Sequence, residues 1–223
     1  MAKYAAVVFD LDGTLLNTAE DLRGAVNYTM SAFGCPPRTV EEVRLFAGNG
    51  IRKLVERSLP EAKRTADTVE RAYRTFCDYY ALHTAEKTVP YPGVPALLSL
   101  LSGGGLRLAV VSNKAEFAVR SLCEKFFPGV FSAVVGAREG SPKKPDPSGV
   151  LAALEKLGVE SCGGLYVGDS DVDGETAKNA GMDCVLVSWG FRERGLLEAM
   201  HPLAVADDAA AVAKIALGKE AEK

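Results

Sequence analysis

Asp10 and Asp12 stand one residue apart in FDLDGTLLNT, directly behind the apolar run AAVVF and ahead of Gly13 and Thr14. Like charges crowded there need a partner of opposite sign. Three other polar groups follow apolar runs in the same way: Ser112-Asn113 after LRLAVV, Lys143-Lys144-Pro145 a short loop after FSAVVG, and Asp169-Ser170-Asp171-Val172-Asp173 after LYVG. Brought together, they supply carboxylates, a hydroxyl, an amide and an ammonium, a mixed-sign set suited to a divalent cation and a phosphate. Oxygen-rich acidic ligands favour Mg²⁺, which keeps several waters and takes one or two carboxylates plus substrate phosphate. On this reading a cation sits between Asp10 and Asp12, the lysine and Ser112 hold phosphate oxygens, and Gly13 lets backbone N–H groups curl around the same anion.

The elements that must position these residues are short buried strands. Val- and Leu-rich runs at Tyr4 to Phe9, Leu106 to Val111, Phe131 to Val135, Leu165 to Val167, Cys184 to Val187 and Leu203 to Val205 each read as one. Helical stretches at Glu116 to Phe126, Ser148 to Leu157 and Asp208 to Leu217 alternate with them, as in a doubly wound parallel α/β sheet, a Rossmann-like core. Asp10 and Asp12 then lie at the carboxyl end of the first strand, where open α/β sheets place their ligands.

Residues 17–88 have no strand-like run. Leu22, Ala25, Val26, Met30 and Phe33 fall at helical spacing and stop at Gly34 and Pro36-Pro37, and Thr39 with Glu42 makes a capping-box start. Helices beginning at Ile51 and around Val69 to Tyr80 complete an all-helical insert, far longer than the usual strand-to-helix loop of about 2–6 residues. The expected division is a core of 1–16 and 89–223 with a cap domain of 17–88. The tail GKEAEK reads as frayed.

A net charge of −3 and a pI near 5.6, with no Lys/Arg block, give no electrostatic footprint for nucleic acid. The longest charge-free stretch, Thr88 to Leu106, is broken by Pro90, Pro92, Gly93, Pro95 and the Gly103 to Gly105 turn, which excludes a membrane span. MAKYAAVVFD reaches an acidic residue before a signal-peptide core is complete, and the five cysteines are scattered without a C-x-x-C. A cytoplasmic protein with reduced thiols is expected.

The four groups, DLDGT (Asp10–Thr14), SN (Ser112-Asn113), KP (Lys144-Pro145) and GDSDVD (Gly168–Asp173), resemble in order the four motifs of the haloacid dehalogenase superfamily, over residues 4 to about 190. AGNGIRKLVERSL in the insert and TVPYPGV before the second strand are similar to its phosphoglycolate phosphatases. The resemblance implies an Mg²⁺-dependent phosphomonoester hydrolase with Asp10 as the nucleophile that becomes an aspartyl phosphate and Asp12 as general acid and base. It implies Thr14, Ser112, Asn113 and Lys144 around the phosphate, and Asp10, Asp169, the backbone carbonyl of Asp12 and, in support, Asp173 around the metal. Asn49, Gly50 and Arg52 are the candidate substrate contacts of the cap, Arg52 and Lys53 offering cations to a substrate carboxylate. Asn17 stands where relatives commonly carry Asp. The implied partner is a small phosphomonoester, with neither nucleic acid nor membrane, the chain acting as a monomer or homodimer.

Blander readings compete. Asp10 and Ser112 could cap the helices that follow them, Lys144 could be a solvated loop residue, and the Gly48 to Gly50 segment a simple turn. DSDVDGETAKNA matches half of a calcium loop, but its twelfth position is Ala180 where a bidentate Glu is required. A phosphoaspartate receiver domain would set an adjacent acidic pair after its first strand and the phosphoacceptor after its third, whereas here the acidic residues are split between the first and fourth groups, and a receiver has no place for the insert. A β-phosphoglucomutase-like phosphotransferase or a pyrophosphatase of the same superfamily stays open, because it shares the motifs.

Overall fold

The computed structural model describes residues 3–218. The run AVVF forms β1 (Ala6–Phe9), with every side chain buried. The chain passes through a short β2 (Leu16–Asn17) into α1 (Ala19–Ala32), α2 (Val40–Phe46), α3 (Ile51–Ser58) and α4 (Ala66–Leu82), and returns through a short β3 (Val89–Pro90). There follow α5 (Val94–Gly103), β4 (Arg107–Ala115), α6 (Glu116–Phe126), β5 (Ala133–Ala137), α7 (Ser148–Leu157), β6 (Gly164–Gly168), α8 (Asp171–Ala180), β7 (Asp183–Val187), α9 (Arg194–Glu198), β8 (Ala204–Ala206) and α10 (Ala209–Leu217). Two compact units result, 1–16 with 90–223 and 17–89.

In the first unit six strands form one sheet in the order β5-β4-β1-β6-β7-β8, with every pairing parallel. The order reverses about β1, and this sets the crevice for a ligand beyond the carboxyl ends of β1, β4 and β6. Phe9 pairs with Val110 on one side and Val167 on the other, so Asp10 emerges level with the ends of its two neighbours. Ala6, Val8, Ala109, Val111, Tyr166 and Leu186 share one sheet face and pack under α7 and α8 through Val150, Leu154 and Ala177. Strands buried on both faces explain why these runs are continuously apolar instead of alternating.

The structure refines the sequence reading in four places. β4 runs to Ala115, and its register with β5 shifts between Val111 and Ala115, so Ser112, Asn113 and Lys114 belong to an irregular strand end and not to a loop after it. Asp171 and Asp173 lie in the first turn of α8, whose N-cap Ser170 forms a capping box with Asp173. The Thr88 to Leu106 stretch contains α5, which tolerates Pro95 because a proline in the first turn removes no intrahelical hydrogen bond. The crossings into and out of the insert are the short β2 and β3, paired with each other. Among the described residues no helix is long and apolar enough to cross a membrane. The tail from residue 219 onward lies outside the described residues.

In the second unit, Leu22, Ala25, Val26 and Met30 of α1 are buried, as are Leu54 and Val55 of α3 and Val69, Ala72, Phe76 and Tyr80 of α4. The Thr39 and Glu42 capping box opens α2. The buried Asp21 carboxylate ties the end of this unit to its first helix, accepting from Lys87 N (2.9 Å), Thr88 N (2.9 Å) and Thr88 Oγ1 (2.6 Å).

Glu116 opens α6 and accepts from Arg120 Nε (2.9 Å) and Arg138 Nη2 (2.9 Å), tying the helix to the segment after β5. Arg138 first, against the opposing effect of burial, and then Arg120 hold its carboxyl down at about 2. A lowered carboxyl stabilises the fold fully above its unfolded value, near 4.5, and loses that contribution as the pH falls towards 2. Glu116→Gln therefore lowers the urea midpoint at pH 7 and by much less at pH 3. Equal losses at both pH values would show that the ion pair is not the cause.

Candidate active site

The ends of β1, β4 and β6 bring the expected residues together. Lys144 Nζ lies 2.7 Å from Asp10 Oδ1 and 2.7 Å from Asp173 Oδ1, and donates to the Tyr166 hydroxyl oxygen at 3.2 Å. Lys144 is buried and Lys143 is exposed, which settles which lysine enters the site. The Lys144 segment is held by Asn113, whose Oδ1 accepts from Lys144 N (2.8 Å) while its Nδ2 donates to Lys144 O (3.0 Å). Asn113, expected beside the phosphate, thus acts in this structure as a clamp on the lysine backbone.

Asp169 is boxed in. Its Oδ1 accepts from Thr14 Oγ1 (3.1 Å) and its Oδ2 from Phe191 N (2.7 Å). Gly13, at φ 88°, and Gly190 leave room for it: a Cβ at either position would come within 2.2 Å of Asp169 atoms. Trp189 Nε1 donates to Thr14 O (3.1 Å), drawing the same loop inward. Thr14, expected beside the phosphate, donates to Asp169 and so orients it.

Asp173 is fully engaged as well. Its Oδ1 accepts from Lys144 and from Tyr166 Oη (2.9 Å), and its Oδ2 from Ser170 Oγ (2.6 Å) and Ser170 N (3.1 Å). With this many donors it anchors Lys144 and the turn into α8, and is a support rather than a free ligand.

The sequence reading sets a cation beside Asp10 and Asp12, with Asp12 offering its backbone carbonyl. Asp12 turns its carboxylate to Lys114, whose Nζ lies 3.0 Å from Oδ1 and 3.2 Å from Oδ2. Asp10, Asp169 and Asp173 offer oxygens all within 4.8 Å of one another. Three buried carboxylates against the Lys144 ammonium leave negative charge in excess. Asp10 Oδ1, buried, has the ammonium opposite but no well-aligned hydrogen-bond donor. Burial, partly offset by Lys144 and reinforced by Asp173 and Asp12, pushes the Asp10 carboxyl up to about 6. Burial followed by the Asp173 and Asp10 carboxylates pushes Asp169 well above the usual range, against the donors from Phe191 and Thr14. Asp173 is also raised by burial, but the Lys144 charge and its hydrogen bonds prevail and bring it below the usual value. Three closely set carboxylates, negative charge in excess of the one ammonium and hard oxygen donors fit a divalent cation.

A family model described as haloacid dehalogenase-like hydrolase matches residues 7–187. The chain belongs to that family. Phosphoglycolate phosphatases of Pseudomonas putida and Psychrobacter arcticus are 38% and 33% identical to it, over 91% of this chain and 76% of the first, and over 92% of this chain and 93% of the second. The crystal structure of a protein from Lactobacillus delbrueckii subsp. bulgaricus superimposes with a TM-score of 0.92 at 36% identity, covering 97% of this chain and 100% of that one.

Within this haloacid dehalogenase-like site, sequence reasoning missed Lys114, Tyr166 and the 189–191 loop. Lys114 had a signal, a charged residue directly behind an apolar strand, and so did the Ser170-x-x-Asp173 capping pattern. Phe191 acts through its backbone N–H, which no side-chain pattern reveals. In the insert, Gly50 is the N-cap of α3 at φ 87°, preceded by Asn49. Arg52 donates to Glu70 Oε2 (2.5 Å) over the Tyr73 ring, and Lys53 to Glu56 Oε2 (2.8 Å), so both cations already have carboxylate partners inside the insert.

Proposed function

We propose that the protein is an Mg²⁺-dependent phosphatase that acts through an aspartyl phosphate on Asp10, with 2-phosphoglycolate as its substrate. The observation that carries the chemistry is the placement of Asp10: a buried carboxylate at a strand end, paired with one buried ammonium and beside two further carboxylates. Asp10 attacks phosphorus, the bond to the leaving oxygen breaks, and Asp12 gives that oxygen its proton. Water then attacks the aspartyl phosphate, Asp12 takes the proton from it, and Asp10 leaves as carboxylate with inorganic phosphate released.

Ser112, buried at the irregular end of β4, and Lys144 hold phosphoryl oxygens, where fixed charges and dipoles supply most of the rate. Asp10, Asp169 and the backbone carbonyl of Asp12 would hold Mg²⁺, with Asp173 acting through Lys144 and Ser170. The ion, when bound, neutralises carboxylate and phosphoryl charge. Full turnover in excess chelator would remove it from the reaction.

The substrate reading is supported by the relatives of 38% and 33% identity described as phosphoglycolate phosphatases. The cap gives it less support, because a substrate carboxylate would have to draw Arg52 away from Glu70. The test is kcat/KM for 2-phosphoglycolate against β-glucose 1-phosphate, pyrophosphate and a neutral alkyl phosphate. Preference for any of the last three would displace the substrate and leave Asp10 chemistry standing. Isomerisation of β-glucose 1-phosphate would mark a mutase.

A further inference from the structure

Two lysines enter the site from different directions, and the reaction as described uses one. Lys144 meets Asp10. Lys114, with its side chain 2% exposed, meets Asp12, whose side chain is 20% exposed, and approaches both carboxylate oxygens at nearly equal distance. An ammonium set nearly equidistant from both oxygens draws the carboxyl group towards itself and so fixes where that group sits. Lys114 N also approaches Ser112 Oγ (3.3 Å), so one irregular strand end carries both the phosphate partner and the partner of Asp12.

We infer that Lys114 is a positioning residue that holds the Asp12 carboxyl in line for proton transfer with the leaving oxygen, so that the end of β4 keys the acid–base group and the phosphate site to each other. The inference rests on the acid–base reading of Asp12. An acid–base carboxyl must lie within hydrogen-bond reach of the atom it serves, and Asp12, partly exposed just ahead of the turn at 13–15, has no other described donor to hold it there. Burying a lysine solely to solubilise a loop makes no physical sense, since an ammonium resists leaving water unless a paired charge receives it.

The experiment measures single-turnover phosphorylation of Asp10 from two esters: p-nitrophenyl phosphate, whose leaving group departs without a proton, and a simple alkyl phosphate, whose leaving group requires one. In Lys114→Met and Lys114→Gln the alkyl ester is expected to slow about tenfold or more relative to the nitrophenyl ester, through the phosphorylation rate constant at saturating ester with the half-saturating concentration changing little. Lys114→Arg, which keeps the charge but not the shape, is expected to restore part of the wild-type ratio. Equal slowing of both esters, or an unchanged ratio in every variant, would overturn the inference, because a purely structural lysine does not distinguish leaving groups. Asp12→Asn is run alongside: if it too leaves the ratio unchanged, the acid–base reading itself fails, whereas a changed ratio in Asp12→Asn alone sinks only Lys114.

Discussion

Asp10→Asn is expected to lower turnover at least about 10⁴-fold while leaving a folded protein, because the amide keeps the shape of the side chain and removes the nucleophilic oxygen. The same substitution has a signature in stability. The folded-state carboxyl lies at about 6 against an ordinary 3.8, so between these values the folded chain binds the proton more tightly than the unfolded one. Stability of the metal-free wild type therefore falls as pH rises through that window, and the deficit is complete above about 6. The variant lacks this contribution, and its stability relative to wild type rises by about 1–3 kcal/mol between pH 4 and pH 8 in urea titrations without metal. Near-normal turnover in Asp10→Asn would remove the mechanism. A stability difference that does not change with pH would show that Asp10 is not held against its charge.

Lys144→Met should damage both function and fold. Burial pushes the ammonium down, but the Asp10 and Asp173 carboxylates together hold it well above its ordinary value. Lys144 is thus charged in both folded and unfolded chains at neutral pH, and its contribution disappears only as pH rises through its raised folded value. Removing it strips Asp10 and Asp173 of a shared counter-charge and leaves buried carboxylates uncompensated. Breaking a buried pair from one side typically costs about 3–5 kcal/mol. Turnover is expected to fall about 10³-fold or more, since phosphoryl transfer depends on positioned charge. With their ammonium gone, the carboxylates prefer protons still more strongly, so the loss of stability is largest at pH 8 and shrinks towards pH 4. Mg²⁺ is expected to restore part of the stability without restoring turnover. Wild-type stability at pH 8 in metal-free buffer would show that the network is not what holds this part of the fold.

The sequence by itself determined where the chemistry gathers. An apolar run followed by a polar group can form a buried parallel strand only if the polar residues leave at its end, and Asp10, Ser112 and Asp169 all obey this rule, so the α/β class and the crevice follow from one-dimensional pattern. Glu116 to Phe126 and Ser148 to Leu157 were legible as helices because their apolar spacing has no competing strand reading. Only the tertiary structure decided which partner each charge takes. Asp10 and Asp12 are neighbours in the chain, yet one is neutralised by Lys144 and the other by Lys114, residues more than a hundred positions away. Thr14 and Asn113 carry groups able to bind phosphate, but one donates to Asp169 and the other grips the Lys144 backbone. The 189–191 loop holds Asp169 through a main-chain N–H and the absence of a side chain at Gly190. Strand and helix propensity are local and repeat along the chain, so a sequence displays them. The choice among several donors for one carboxylate depends on distances of a few ångström set by sheet register and loop path, and these exist only once the strands have paired.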